Sequence, residues 1–232
     1  SPLQSVFKVL SSTPEFKSFF DLMVGFPEDP LKKLPIIFVN RSNYYGIDFN
    51  IKFFNTFNYT VYVPTNDAIQ RALVAGIIKP WDSQGPIVGI NDLPVSEQAA
   101  EIVKLERFLR YHFQDNSVFI DGKAVQNVYQ SATMKLDDVT SNFGTFKNKY
   151  YKIGVNGNGT DISLTTETNH SARVMTETGL YNIMTRDFVF NNKPSTFKNV
   201  DGTGTGSDFG SSSIYTSSTA VIHQIDEVLN FK

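Results

Sequence analysis

The segment that most constrains the fold is residues 59–68, which read YTVYVPTNDA. The alternation of β-branched and aromatic residues over 60–63 predicts a strand. Pro64 ends that strand, because proline has no N–H group to donate within a sheet. The next residues, Thr65 and Asn66, offer side-chain oxygens of the kind that cap helices. We therefore predict a strand, a tight turn and a helix in direct succession.

Two later segments have equally definite patterns. Residues 105–112 read LERFLRYH, which predicts the last turns of a helix, and Ser96 is the predicted N-cap of that helix. Residues 220–229 read AVIHQIDEVL, which predicts an apolar strand near the C-terminus. That strand contains His223, and Asp226 follows it.

The order of these three segments resembles that of the fasciclin domain family. Its members carry a Thr-Val-Phe-Ala-Pro-Thr-Asn box, a Tyr-His box and a Val-Ile-His-x-Ile-Asp box. By resemblance, four residues are framework positions of these boxes: Thr65, Asn66, His223 and Asp226. The chain departs from the family pattern where its Tyr-His box continues as Phe113-Gln114 instead of the usual aliphatic pair.

The resemblance implies an α+β fold, namely a fasciclin-like β-sandwich or wedge with a packed helical layer. The sequence agrees, since helical patterns come first and mostly strand patterns follow from Val118 onward. We expect a single domain over residues 1–232. Two stretches do not align with the family and are interpreted as insertions, at about 26–57 and 191–217.

Turn signals predict two hairpins in the second half of the chain. Residues 156–159 read NGNG between strand patterns at 150–155 and 162–165. An Asp-Gly pair at 121–122 separates two short strand patterns within 119–125.

Composition excludes several classes of function. The chain has no cysteine, which excludes thiolate catalysis, disulfides and cysteine-ligated metals. Its net charge of −2 gives no electrostatic reason to expect nucleic acid as a partner. No apolar run is long enough to span a bilayer, so any membrane attachment would come from an anchor outside this sequence.

Catalytic and metal-binding patterns are missing from the sequence. There is no Gly-x-Ser-x-Gly motif, and the three histidines lack the spacing of zinc ligands. A glycine-rich stretch between Asp201 and Asp208 is predicted to be a loop, with calcium binding as the alternative. We predict no catalytic residue, no metal site and no cofactor.

Two sets of residues are candidates for binding a partner. The Tyr-His box of animal fasciclin proteins has been connected with cell-adhesion contacts, and Tyr111 and His112 inherit that role by resemblance. The alternative for His112 is a structural hydrogen bond to a carbonyl at the helix end. Tyr44, Tyr45 and Trp81 would stack on sugar rings or anchor a protein interface if exposed. Their alternative is packing in a local core.

The sequence thus predicts a non-catalytic binding or adhesion module that recognises a protein or a polysaccharide. We expect it outside the cell, at a cell surface or outer envelope, as in a bacterial lipoprotein anchored by a segment before Ser1. One alternative is a structural spacer in a larger surface assembly. Another is a carboxylate-based hydrolase, which has only scattered acidic residues in its support.

Overall fold

A computed structural model describes residues 3–24, 58–135, 150–190 and 214–231. Its α-helices are α1 (Val6–Ser12), α2 (Lys17–Val24), α3 (Asn66–Val74) and α4 (Val95–Arg110). Its strands are β1 (Asn58–Pro64), β2 (Phe113–Asp115), β3 (Ala124–Met134), β4 (Tyr150–Asn158), β5 (Ile162–Thr166), β6 (Ser171–Arg173), β7 (Ile183–Phe190) and β8 (Ile214–Ile225). Helices and strands are mixed, so the α+β prediction is confirmed.

The eight strands form one curled sheet in the order β6-β5-β4-β3-β2-β1-β8-β7. Neighbouring strands are antiparallel except β1 and β8, which are parallel over seven residue pairs from Asn58–Thr219 to Pro64–Ile225. This pairing places the first and third sequence boxes side by side, next to the edge strand β7, although about 160 residues separate them in the chain.

Two apolar cores lie on opposite faces of the β1/β8 pair. On one side, Val61 and Ile222 pack with helical residues such as Phe19 and Leu109. On the other side, Tyr62, Ile225 and Leu229 pack against the inner faces of β4 and β5. The sides alternate because successive side chains of a strand point to opposite faces of the sheet.

The predicted strand, turn and helix at residues 59–68 are confirmed. β1 ends at Pro64, and the Oγ1 of Thr65 accepts a hydrogen bond from the backbone N–H of Ala68 at 3.1 Å, as the N-cap of α3. Gly76 follows the helix with a φ of +71°, a conformation that favours glycine. The prediction for Ser96 is wrong by two positions, because α4 begins at Val95, its N-cap residue is Pro94, and no side chain caps it.

Thr65 caps its helix and Ser96 does not, so substitutions at the two positions should differ in their effect on stability. Thr65→Ala is expected to cost about 1 kcal/mol in the free energy of unfolding, because one N–H of α3 loses its acceptor. Ser96→Ala is the matched control and should change stability little, because Ser96 caps nothing. Urea denaturation of both variants measures the difference. Equal losses would contradict the assigned caps.

The hairpin predictions are confirmed in part. β4 and β5 pair as expected, but the turn lies two residues later, since β4 continues to Asn158 and the side chain of Asn158 closes the turn. The predicted first strand near Phe119 is wrong. The backbone of this segment does not pair as a strand. The N–H of Ile120 instead donates to the side chain of Asn182 at 3.0 Å.

Several sequence predictions lie outside the described residues. They are the insertion at 26–57 with Tyr44 and Tyr45, the glycine-rich stretch 201–208, and most of the insertion at 191–217. The end of that second insertion, from Ile214, belongs to β8. Across the described ranges, no helix has the length and apolar character needed to cross a membrane.

Candidate functional site

His112 lies at the junction of α4 and the C-terminal residues, and its side chain is fully buried. The Nδ1 atom is 2.9 Å from the carbonyl oxygen of Phe108, and the Nε2 atom accepts from the backbone N–H of Leu229 at 2.9 Å. The ring also contacts Phe19, with 5.3 Å between ring centroids. These partners require a neutral imidazole with its proton on Nδ1.

His223 has the opposite arrangement on β8. Its Nε2 atom is 2.8 Å from the carbonyl oxygen of Val118, and its Nδ1 atom accepts from the backbone N–H of Asn182 at 3.2 Å. The ring stacks on Tyr62 with an interplanar angle of 23°. The proton therefore lies on Nε2, and both nitrogens are engaged within the protein.

Burial governs the charge of both histidines. Desolvation lowers the pKa of His112 to about 4, and the carbonyl of Phe108 offsets this only in part. Desolvation likewise lowers the pKa of His223 to about 4. Both rings are neutral at pH 7 and have no free nitrogen, so neither offers a ligand to a metal or a base to a substrate.

The other box residues connect elements of the fold. The side chain of Asn66 accepts from the backbone of Ser18 at 2.9 Å, which joins α3 to α2. Asp226 accepts from the backbone N–H of Arg173 at 2.8 Å, which joins the end of β8 to β6. Asn66 and Asp226 therefore each join two elements of the fold.

Three predicted binding residues are buried, which corrects their interpretation as surface contacts. The indole N–H of Trp81 donates to the carbonyl of Leu22 at 2.9 Å, and the residue is 6% exposed. The phenol of Tyr111 donates to the carbonyl of Lys152 at 2.7 Å and is covered by Phe231. Together with His112, these side chains are out of reach of a partner at the surface.

Gln114 is a buried contact that the sequence patterns did not identify. Its Oε1 atom accepts from the hydroxyl of Tyr62 at 2.9 Å, so β2 and β1 are joined by side chains as well as by their backbones. The departure from the family pattern at Phe113-Gln114 was the available signal. A polar residue there requires a polar partner on the neighbouring strand, and Tyr62 provides it.

The outer face of strands β3 to β6 presents polar side chains in a regular pattern. Inner-face residues such as Ile153 and Leu164 pack in the core, and the alternating residues project outward. We call the following ten residues the outer face: Gln126, Val128, Gln130, Lys152, Gly154, Asn156, Ser163, Thr165, Ser171 and Arg173.

The outer face is organised in rows across the four strands. One row contains Gln126, Asn156, Ser163 and Arg173, which are consecutive partners in the register. The next row begins with Val128 and Gly154, which carry no polar side-chain group, and continues with Thr165 and Ser171. The spacing of strands is about 4.8 Å, so each row spans roughly 14 Å.

Amides and hydroxyls dominate this face, and its charges lie at the corners. The guanidinium of Arg173 is paired with Glu177 at 2.6 Å and with Asp226 at 3.4 Å. Lys152 lies at the opposite end, beside Gln130. Amide side chains both donate and accept hydrogen bonds, so the centre of the face is suited to an uncharged ligand that is rich in hydroxyls.

Within the described ranges, no group of three or more histidine or acidic residues is arranged to hold a metal ion. A comparison with models of known protein families finds no match to this chain. A search of curated proteins also finds no match.

Proposed function

We propose that this protein is a non-catalytic binding module of a cell surface, with a fasciclin-like framework, that attaches to a polysaccharide through its outer face. The observation that carries the proposal is the row of two exposed amides and a hydroxyl across β3 to β5, from Gln126 through Asn156 to Ser163. Because Trp81 is buried, we propose this row, and not Trp81, as the polysaccharide-binding site.

The framework part of the proposal rests on how the three boxes meet. The parallel pairing of β1 with β8 brings the first and third boxes together, and His112 of the second box binds the backbone of Leu229 just after the third. Such mutual contacts are expected of positions that maintain a scaffold, and they leave exposed residues to determine what the scaffold binds.

The chemistry of the outer face favours a neutral polysaccharide over a protein. Protein interfaces obtain most of their binding energy from aromatic and arginine side chains at a desolvated centre. At the centre of this face are Gly154, Asn156 and Thr165, while Arg173 is already engaged at a corner. Hydroxyl-rich chains provide both partners for amide groups, and Val128 provides an apolar contact.

Electrophoresis in native gels cast with soluble neutral polysaccharides tests the proposal. We expect at least one polysaccharide to retard the protein. Replacing Gln126 or Asn156 by alanine should weaken that binding about fivefold each, for a loss of about 1 kcal/mol per hydrogen bond. Gln70→Ala is the matched control, because Gln70 is an exposed amide on α3, away from the outer face.

Two results would contradict the proposal. Uniform mobility across the panel would favour a structural spacer, or a protein partner recoverable by pull-down from a surface fraction. Retardation that is unchanged in Gln126→Ala and Asn156→Ala would leave polysaccharide binding in place but remove the outer face as its site.

A further inference from the structure

Residues 226–231 form neither helix nor strand, and side chains of other elements hold them in place. The hydroxyl of Thr168 donates to the carbonyl of Asn230 at 3.1 Å, and His112 accepts from the N–H of Leu229. Phe231 packs against Tyr111 and Tyr151, with ring centroids 5.3 and 4.7 Å away. We call residues 226–231 the C-terminal segment.

The contact between His112 and Leu229 depends on the protonation state of the ring. Nδ1 must donate to the carbonyl of Phe108, so Nε2 is left as the acceptor for the N–H of Leu229. A proton added to Nε2 would place two N–H groups against each other at 2.9 Å. The same proton would put a positive charge among Phe19, Phe108 and Leu229 in the core.

We propose that His112 is an acid-sensitive latch, whose protonation detaches the C-terminal segment from α4 while β1 and β8 stay paired. Detachment gives the charged ring access to water and frees the N–H of Leu229 to bond to water. It also removes Phe231 from Tyr111 and Tyr151, which exposes an aromatic surface on the inner side of the sheet.

The groups around the latch are mostly unable to titrate. The ring is contacted by Phe19 from α2, Phe108 from α4 and Leu229 from the segment, none of which carries a charge. Desolvation is the main cause of its lowered pKa.

Charged groups lie further out on the packed elements. On the segment, Asp226 and Glu227 pair with Arg173 and Arg71. On the neighbouring elements, Arg107 lies over the ring of Phe231, and Lys135 lies over Tyr151 and pairs with Glu167.

The size of the effect follows from proton linkage. The pKa of His112 is about 4 with the segment attached, and the ordinary value of 6.5 applies once the ring is in water. The ratio of detached to attached molecules should therefore rise roughly 40-fold as the pH falls from about 6.5 to about 4.5. Below the lowered pKa the ratio stops rising, because both states are then protonated.

Amide hydrogen exchange at these two pH values tests the latch. After correction for intrinsic exchange rates, protection at Leu229, whose N–H is bonded to His112, should fall by tens of fold, while protection at Val61 in β1 stays constant. His112→Gln is the matched variant, because glutamine provides one amide donor and one acceptor but does not titrate. In that variant we expect the loss of protection at low pH to disappear.

Two results would overturn the latch. An equal fall in protection at Val61 and Leu229 in the unmodified protein would mean global unfolding, and this outcome decides the matter even if His112→Gln does not fold. An unchanged fall in His112→Gln would mean that a group other than His112 causes the acid response.

Discussion

Acidification from pH 7 to pH 4 is expected to lower the free energy of unfolding by about 3 kcal/mol for each buried histidine, or about 6 kcal/mol for both. The folded protein lowers the pKa values of His112 and His223 to about 4, below the ordinary 6.5. Between these values the unfolded chain binds more protons than the folded one. Stability is therefore complete above pH 6.5 and is lost as the pH falls toward 4.

Denaturant titrations at several pH values measure this loss, with the fluorescence of the single tryptophan, Trp81, as the probe. The double variant His112→Gln with His223→Gln should show a much smaller dependence on pH. His170→Gln is the matched control, because His170 is exposed, and its titrations should follow those of the unmodified protein. An equal acid response in the double variant would assign the effect to carboxylates instead.

Trp81→Ala is expected to destabilise the protein by about 3–5 kcal/mol, the usual range for removing a large buried ring. Trp81 is part of the core between the helices and the sheet, and its indole N–H satisfies the carbonyl of Leu22. Natural domains are stable by only about 5–15 kcal/mol, so this one change consumes much of the total. Thermal melts followed by far-ultraviolet circular dichroism measure it.

Trp81→Phe separates the structural role of Trp81 from a role in binding. It keeps most of the packing but loses the hydrogen bond, at a cost of about 1 kcal/mol. In the native gels with polysaccharides, the folded variant should have the same mobility as the unmodified protein. Lost binding at unchanged stability would restore Trp81 as a ligand contact and contradict its assignment to the core.

Local patterns predicted the parts of the fold that depend on neighbours in sequence. The strand that ends at Pro64 and the cap at Thr65 are confirmed because each is determined within a few residues. Local patterns did not fix the exact position of the turn after β4, because the sequence contains two consecutive Asn-Gly pairs. The turn forms at the second pair, where the side chain of Asn158 accepts a hydrogen bond from the N–H of Asp161.

Tertiary contacts were less accessible to prediction. The parallel pairing of β1 with β8 joins residues about 160 positions apart, and no local pattern specifies it. The burial of Trp81 depends on a hydrogen bond to the carbonyl of Leu22, which is 59 positions away in the chain and which no local pattern indicates. The sequence of β4 does predict an outer face, because the buried Ile153 and Val155 alternate with Gly154 and Asn156. Hydrophobic alternation does not indicate which ligand such a face binds.

We expect His112 and His223 to be neutral structural groups, and we propose the outer face as the ligand site instead. Two-bond proton–nitrogen NMR correlations of the imidazole rings at pH 7 test this assignment of the two histidines. We expect two different neutral tautomers, with the proton on Nδ1 in His112 and on Nε2 in His223. A cationic ring, or the reverse tautomer at either position, would contradict it.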